Sequence, residues 1–277
     1  MRRELRTCPI SGVTVLLNSA WVGDPPVAEP PPANCWFCAE AAGRGNAPVI
    51  ADGDGVRAIP HPTPALGIEG DARIRREGVR IWRDAVGAHE LVFGEHAGET
   101  SKALSLGASR VADLRNDSRM RGFRVFRRAI VGHHAVWQIV ALPFDVAPSA
   151  CASWREDEIR AGVRVAGRAG DADGGAGAIA LAAYAPRSPF EVWVMPAVGR
   201  GDFRTGAEYL AVSSLADSMV ARISTALRGA AVDMIVEDGE PWRIVLLPRV
   251  SHSSAIEQAT GIATHGAFPE DTASWLR

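Results

Sequence analysis

Residues 137–143 read WQIVALP, and residues 242–248 read WRIVLLP. A continuous apolar run closed by proline, which cannot donate to a ladder, reads as a buried strand. Upstream of each run lies a strand that carries a glutamate, HELVF at 89–93 and FEVWV at 190–194. Between the members of each pair comes a stretch with helical spacing of apolar residues, SKALSLGASRVADLRND at 101–117 and TGAEYLAVSSLADSMVARISTALRG at 205–229. The chain therefore holds two copies of a strand–helix–strand–strand unit, and internal repetition of this kind marks a duplicated fold. The expected class is α+β, with largely antiparallel sheet and helices packed on it. We expect one domain over 1–277, made of an N-terminal repeat at 1–150 and a C-terminal repeat at 175–277.

Composition narrows the function. The formal net charge is −2 over 277 residues, which argues against nucleic-acid or membrane binding driven by electrostatics. Lys102 is the only lysine among 30 basic residues, so an amine nucleophile would have to be Lys102 or the N-terminus. The apolar run VTVLL at 13–17 is too short for a signal-peptide core. No stretch approaches transmembrane length. These features point to a cytoplasmic protein. The cysteines are Cys8, Cys35, Cys38 and Cys151. In a reducing compartment a Cys-x-x-Cys pair is a metal or redox element more often than a disulfide, and the bland alternative for Cys35 and Cys38 is a pair of partly buried thiols.

Other segments are simpler. VIADGDGVRAIP at 49–60 reads as a strand after a Gly/Asp turn. VDMIVEDGEPWRIVLLPRV at 232–250 reads as a hairpin turning at Asp238-Gly239. The tail sets Pro269 at a helix start with Glu270 and Asp271 behind it, as a helix N-terminus prefers. Proline-rich residues 24–33 cannot form a helix interior.

Nearly end to end, these segments resemble galactose-1-phosphate uridylyltransferases, a two-repeat branch of the histidine-triad superfamily. The likeness runs through CPISGVTVLL (8–17), PPPANCWFC (30–38), VRAIPHPTPAL (56–66), GAHELVF (87–93), PFEVWVMP (189–196), WRIVLLPR (242–249), IEQATGI (256–262) and FPEDTASWLR (268–277), and their order is the specific signal. The resemblance implies a zinc ion held by Cys35, Cys38, His96 and His134. Two thiolates and two imidazoles form a closed tetrahedral shell. His133 competes with His134 for this role, and His96 has the alternative of a plain loop histidine.

In that family the second histidine of His-x-His-x-Gln attacks phosphorus and carries the nucleotidyl group. Its counterpart here is Val136, whose isopropyl group has no lone pair. The phosphate-contacting glutamine is retained as Gln138. Alternate residues of a strand share a face, so 134, 136 and 138 point one way and 133, 135 and 137 the other. His133 can replace the nucleophile only if a bulge turns it, and Trp137 should add bulk beside the site. Arg128 stands where the family has an asparagine, and His61 replaces another. Residues Pro241-Trp242-Arg243 and Gly199 occupy the places of a second metal site, which the resemblance therefore implies is absent.

The leading expectation is a zinc-containing protein of this fold that no longer performs double displacement. It would bind a nucleotide-like or phosphorylated ligand through Gln138, Arg128, His61 and Trp137. A second reading is a repurposed enzyme, acting by direct nucleotidyl or phosphoryl transfer or by zinc-assisted chemistry, with Gln138 and His133 as catalytic candidates. A third is a protein-interaction module built on the proline-rich loop and the tryptophans. By analogy with the family, the chain would pair as a homodimer.

Overall fold

The computed structural model describes residues 3–7, 14–18, 36–41, 45–71, 73–82, 84–94, 100–128, 135–146, 149–150, 152–170, 177–198, 208–250 and 255–277. Strands β1 (Arg3–Thr7) and β2 (Thr14–Asn18) pair antiparallel, and the short helix α1 (Trp36–Ala41) follows. Next, β3 (Ala51–Gly53) and β4 (Val56–Pro60) form a hairpin. Its turn residues Asp54 and Gly55 have φ of 52° and 81°, the left-handed pair that matches strand twist and that Asp-Gly tolerates. A small hairpin, β5 (Arg75–Glu77) and β6 (Arg80–Trp82), precedes β7 (Ala88–Gly94). Helix α2 (Thr100–Leu114), β8 (Gly122–Arg128) and β9 (Val136–Leu142) complete the first repeat.

The chain continues through β10 (Ser149–Ala150), α3 (Ala152–Ala161), β11 (Val165–Ala169), β12 (Ala178–Ala182) and β13 (Val192–Pro196). Then come α4 (Glu208–Ala226), β14 (Val232–Glu237), β15 (Gly239–Glu240) and β16 (Arg243–Pro248). It closes with α5 (Ala255–Thr260), β17 (Ala263–His265) and α6 (Pro269–Leu276), where Pro269 opens the last helix as expected.

These elements divide into two compact units, 31–147 and 1–30 with 148–277. In the first, the strand order is β3-β4-β7-β9-β8, antiparallel throughout. Helix α2 covers one face with Ala103, Leu104, Ala108 and Val111, all buried. Its Arg110 reaches Glu90 on that face through Nε and Nη2, each 2.8 Å from a carboxylate oxygen. Gly87 is required where it stands, because a Cβ there would lie 2.2 Å from the carbonyl oxygen of Ala141.

In the second unit the order is β11-β12-β13-β16-β14, again antiparallel, with α4 packed on it. Alternate strand residues Ile179, Leu181, Trp193, Met195 and Val245 form a core with Val15 of β2 and Phe268, under Trp154 of α3. The repeat is therefore real at the level of topology: β7–α2–β8–β9 in one unit, β13–α4–β14–β16 in the other.

Register refines the sequence alignment. With Trp137 matched to Trp242, Val140 corresponds to Val245 and Ile139 to Ile244. His89 lies opposite Val140 and Glu90 opposite Ile139, whereas Trp193 lies opposite Val245 and Val194 opposite Ile244. The counterpart of His89 is thus Trp193, and Glu90 has no glutamate counterpart. Glu191 sits just before β13, accepting hydrogen bonds from the Arg187 backbone N–H at 2.6 Å and from Trp193 Nε1 at 2.8 Å. The likeness of HELVF to FEVWV is one of composition and not of position, because cross-strand pairing sets register.

Candidate functional site

In the second unit the sheet face bearing Trp193 and Val245 is sealed by Val15, Phe268 and Trp154. The corresponding face of the first unit is different. It carries His89 on β7, Gln138 and Val140 on β9, and Arg124, Phe126 and Arg128 on β8, none of them fully buried. Pairing places Phe126 opposite Gln138 and Arg128 opposite Val136. Arg124 and Arg128, on either side of Phe126, put two guanidinium groups on the face of Gln138, which suits an anionic ligand.

His89 Nε2 lies 3.0 Å from Gln138 Oε1. His89 Nδ1 accepts the backbone N–H of Ala65 at 3.1 Å, so the ring proton of the neutral imidazole is on Nε2 and is donated to Gln138. His61 stacks on His89 with ring centroids 4.1 Å apart and planes 23° apart. Its Nδ1 in turn accepts the N–H of Thr63 at 3.1 Å. Burial, and then the neighbouring His89, hold the His61 pKa below the ordinary histidine value. Sequence reasoning selected Gln138 and His61 but missed His89, treating its segment only as a glutamate-bearing strand. The available signal was alternation, since 89, 91 and 93 share a face opposite to that of Glu90.

Val136 begins β9 and is 5% exposed. It packs with Ile59, Leu91 and Phe93, against Phe37 and Ala47. Phe37 belongs to α1 and meets Phe93 edge-on, with centroids 5.3 Å apart. The helix is tied to β4 by Arg57 Nη1, which donates to the Glu40 carbonyl at 2.8 Å. The buried Glu40 carboxylate accepts the backbone N–H groups of Asn46 and Ala47 at 3.1 and 3.3 Å. So Val136 is part of a small apolar core that joins α1 to the sheet.

Trp137 does not line the Gln138 face. It is 1% exposed and points to the other side of the sheet, beneath Arg127, whose guanidinium carbon is 5.7 Å from its ring centroid. The expectation that it touches a ligand beside Gln138 is corrected by strand alternation. Cys35, His96, His133 and His134 lie outside the described residues, as does Gly199, and of Cys38 only its place in α1 is described. Among the described residues no group of three His, Cys, Asp or Glu side chains is arranged to hold a metal. Of the segment 241–243, Arg243 is buried, donating to Glu237 at 2.8 Å through Nε and lying 3.9 Å above the Trp193 ring.

No family model matches this sequence, and no curated protein matches it. Solved structures do. An ADP-glucose phosphorylase from Arabidopsis thaliana, with bound ADP-glucose, superimposes with a TM-score of 0.75 at 21% identity, over 100% of this chain and 99% of that one. A GalT-like protein from the same plant gives 0.73 at 20%, over 100% and 99%. A uridylyltransferase gives 0.64 at 17%, over 99% and 97%.

The chain has the uridylyltransferase fold. The duplicated α+β architecture expected from the two W-x-I-V-x-L-P strands is thereby borne out along the whole chain. On this fold no described helix is long and apolar enough to cross a membrane.

Proposed function

We propose that this chain is a ligand-binding protein on the uridylyltransferase fold that works without a covalent nucleotidyl–protein intermediate. The observation that carries the reading is Val136. It is buried among Ile59, Leu91 and Phe93, two residues before the half-buried Gln138, and it offers neither a lone pair nor a proton. The ligand is a nucleotide sugar or a similar phosphorylated molecule, received by Gln138, Arg128 and His61. The bound ADP-glucose of one structural neighbour supports this class, as do the Arg124 and Arg128 side chains on the same face as Gln138.

Zinc belongs to the same proposal, held by Cys35, Cys38, His96 and His134. Two soft thiolates and two imidazoles suit a structural zinc. The described flanks also fit: Phe37, next to Cys38, packs on Phe93 and Val136, which neighbour His96 and His134 in sequence. A full four-ligand shell supplies stability and leaves no position for substrate. Cys35→Ser should lower bound zinc and the melting temperature together, read by metal analysis and calorimetry. Unchanged values would remove the zinc assignment.

The deciding experiment is titration calorimetry of the zinc-loaded chain with ADP-glucose and UDP-glucose, followed by product and intact-mass analysis. Binding without turnover or adduct supports the reading. A covalent nucleotidyl-protein would overturn it. The stacked imidazoles of His61 and His89, the latter on Gln138, favour one second reading, direct in-line transfer to an acceptor, which turnover without an adduct would select.

A further inference from the structure

His89 is not among the ligand-binding residues proposed above, yet its ring is held at both nitrogens and on one face. The Ala65 N–H occupies Nδ1, His61 covers one ring face, and Nε2 meets Gln138. With Nδ1 an acceptor, the single ring proton is on Nε2, and only the carbonyl oxygen of Gln138 can receive it. The opposite amide orientation would set two donors against each other. One lone pair of the Gln138 carbonyl is thereby taken up inside the protein, and the orientation of the amide is set. Its amide nitrogen keeps two N–H donors and makes no hydrogen bond among the described residues.

We propose that His89, braced by His61, is a positioning residue that turns the Gln138 amide so that it meets the ligand as a donor, selecting a phosphoryl oxygen. This rests on the proposed binding of a phosphorylated ligand at Gln138 and adds what sets its polarity. His61 contributes by keeping the His89 ring plane. Its own Nδ1 is capped by the Thr63 N–H, so each ring of the stack has its Nδ1 accepting from a backbone N–H. The arrangement depends on tertiary pairing: the His61 N–H donates to the His89 carbonyl at 2.9 Å, which brings the two rings into register.

Two measurements on the full zinc-loaded chain test it. Nitrogen-15 spectra of labelled histidine should show His89 with a protonated Nε2 and a pyridine-type Nδ1 near neutral pH; the reverse tautomer overturns the proposal. Calorimetry then compares ADP with adenosine. His89→Phe keeps a ring against His61 but removes the donor. It should weaken ADP about tenfold, one net hydrogen bond, and leave adenosine unchanged. His89→Gln, which restores an N–H donor, should recover part of the loss. In a Gln138→Ala background His89→Phe should change nothing further. Equal loss for both ligands, or a full additive loss in that background, would show a merely structural histidine and overturn the inference alone. If the wild-type chain binds neither ligand, the ligand reading falls and takes this inference with it, whatever the tautomer.

Discussion

Replacing Val136 by histidine tests both the packing and the functional reading at one position. Val136 is 5% exposed and packed by Ile59, Leu91, Phe93 and Phe37. Removing a fully buried valine side chain forfeits roughly 1.5–3 kcal/mol of transfer free energy. An imidazole in its place also brings two polar nitrogens into an apolar cluster, at about 1–3 kcal/mol when unsatisfied. Part of the ring surface is recovered as new contact, so Val136→His should cost about 3 kcal/mol. Val136→Ala, which loses contacts without burying polarity, should cost about 2 kcal/mol. Urea unfolding of the intact zinc-loaded chain reads both. Mixed with ADP-glucose, Val136→His should also show no nucleotidyl adduct by mass spectrometry while its imidazole is confined by Phe37 and Phe93. A histidine variant within about 0.5 kcal/mol of wild type would show that residue 136 opens onto a pocket. An adduct forming on it would show that the surrounding site has kept its phosphorus chemistry.

Further expectations concern the frame of the site. Arg110→Ala strands the Glu90 carboxylate in a buried position, where the two side chains are 11% and 7% exposed, and should cost about 3–5 kcal/mol. The double replacement Arg110→Met with Glu90→Leu should recover most of that in urea melts, and a single-variant loss below about 1 kcal/mol would mean water reaches the pair. Two histidines set a pH dependence. Burial is the leading cause that holds both His61 and the buried His265 below the ordinary value of 6.5, and His265 Nε2 donates to the Pro186 carbonyl at 2.7 Å. The folded chain therefore favours the neutral rings, and the unfolded chain binds more protons just below 6.5. Their contribution is complete above that value and is lost as pH falls through the lowered folded pKa values. Urea midpoints measured downward from about pH 7.5 should decline, and His265→Gln should flatten the decline; a flat wild-type profile would contradict the lowered pKa of the buried His265.

Much of the architecture was legible because its signals are local. The runs at 137–143 and 242–248 are apolar, short and closed by proline, and they became β9 and β16. The apolar spacing of the two helices placed α2 and α4 between the correct strands. Alternation also separated the Gln138 face from the Trp137 face. Placing Trp137 with the ligand residues conflicts with that same alternation, and its ring is 1% exposed on the side of the sheet away from Gln138. HELVF lies in β7 and FEVWV runs into the corresponding strand β13, but their register was not legible, because cross-strand pairing sets it. Glu90 and Glu191 occupy similar words in different registers, one chelated by Arg110 on α2 and the other turned back onto Arg187 and Trp193.

By itself, then, the sequence determined the duplication, the strand and helix types, and the presence of valine where the resembling family has its nucleophile. These depend on neighbouring residues, on side-chain period and on covalent chemistry. Only the tertiary structure decided that His89 and not a glutamate faces Gln138, that His61 arrives from another strand end to stack on it, and that the equivalent face of the second unit is closed by Val15 and Phe268. The physical reason is that a site is made of side chains distant in sequence, and their meeting is set by cross-strand register and by which layer covers which face.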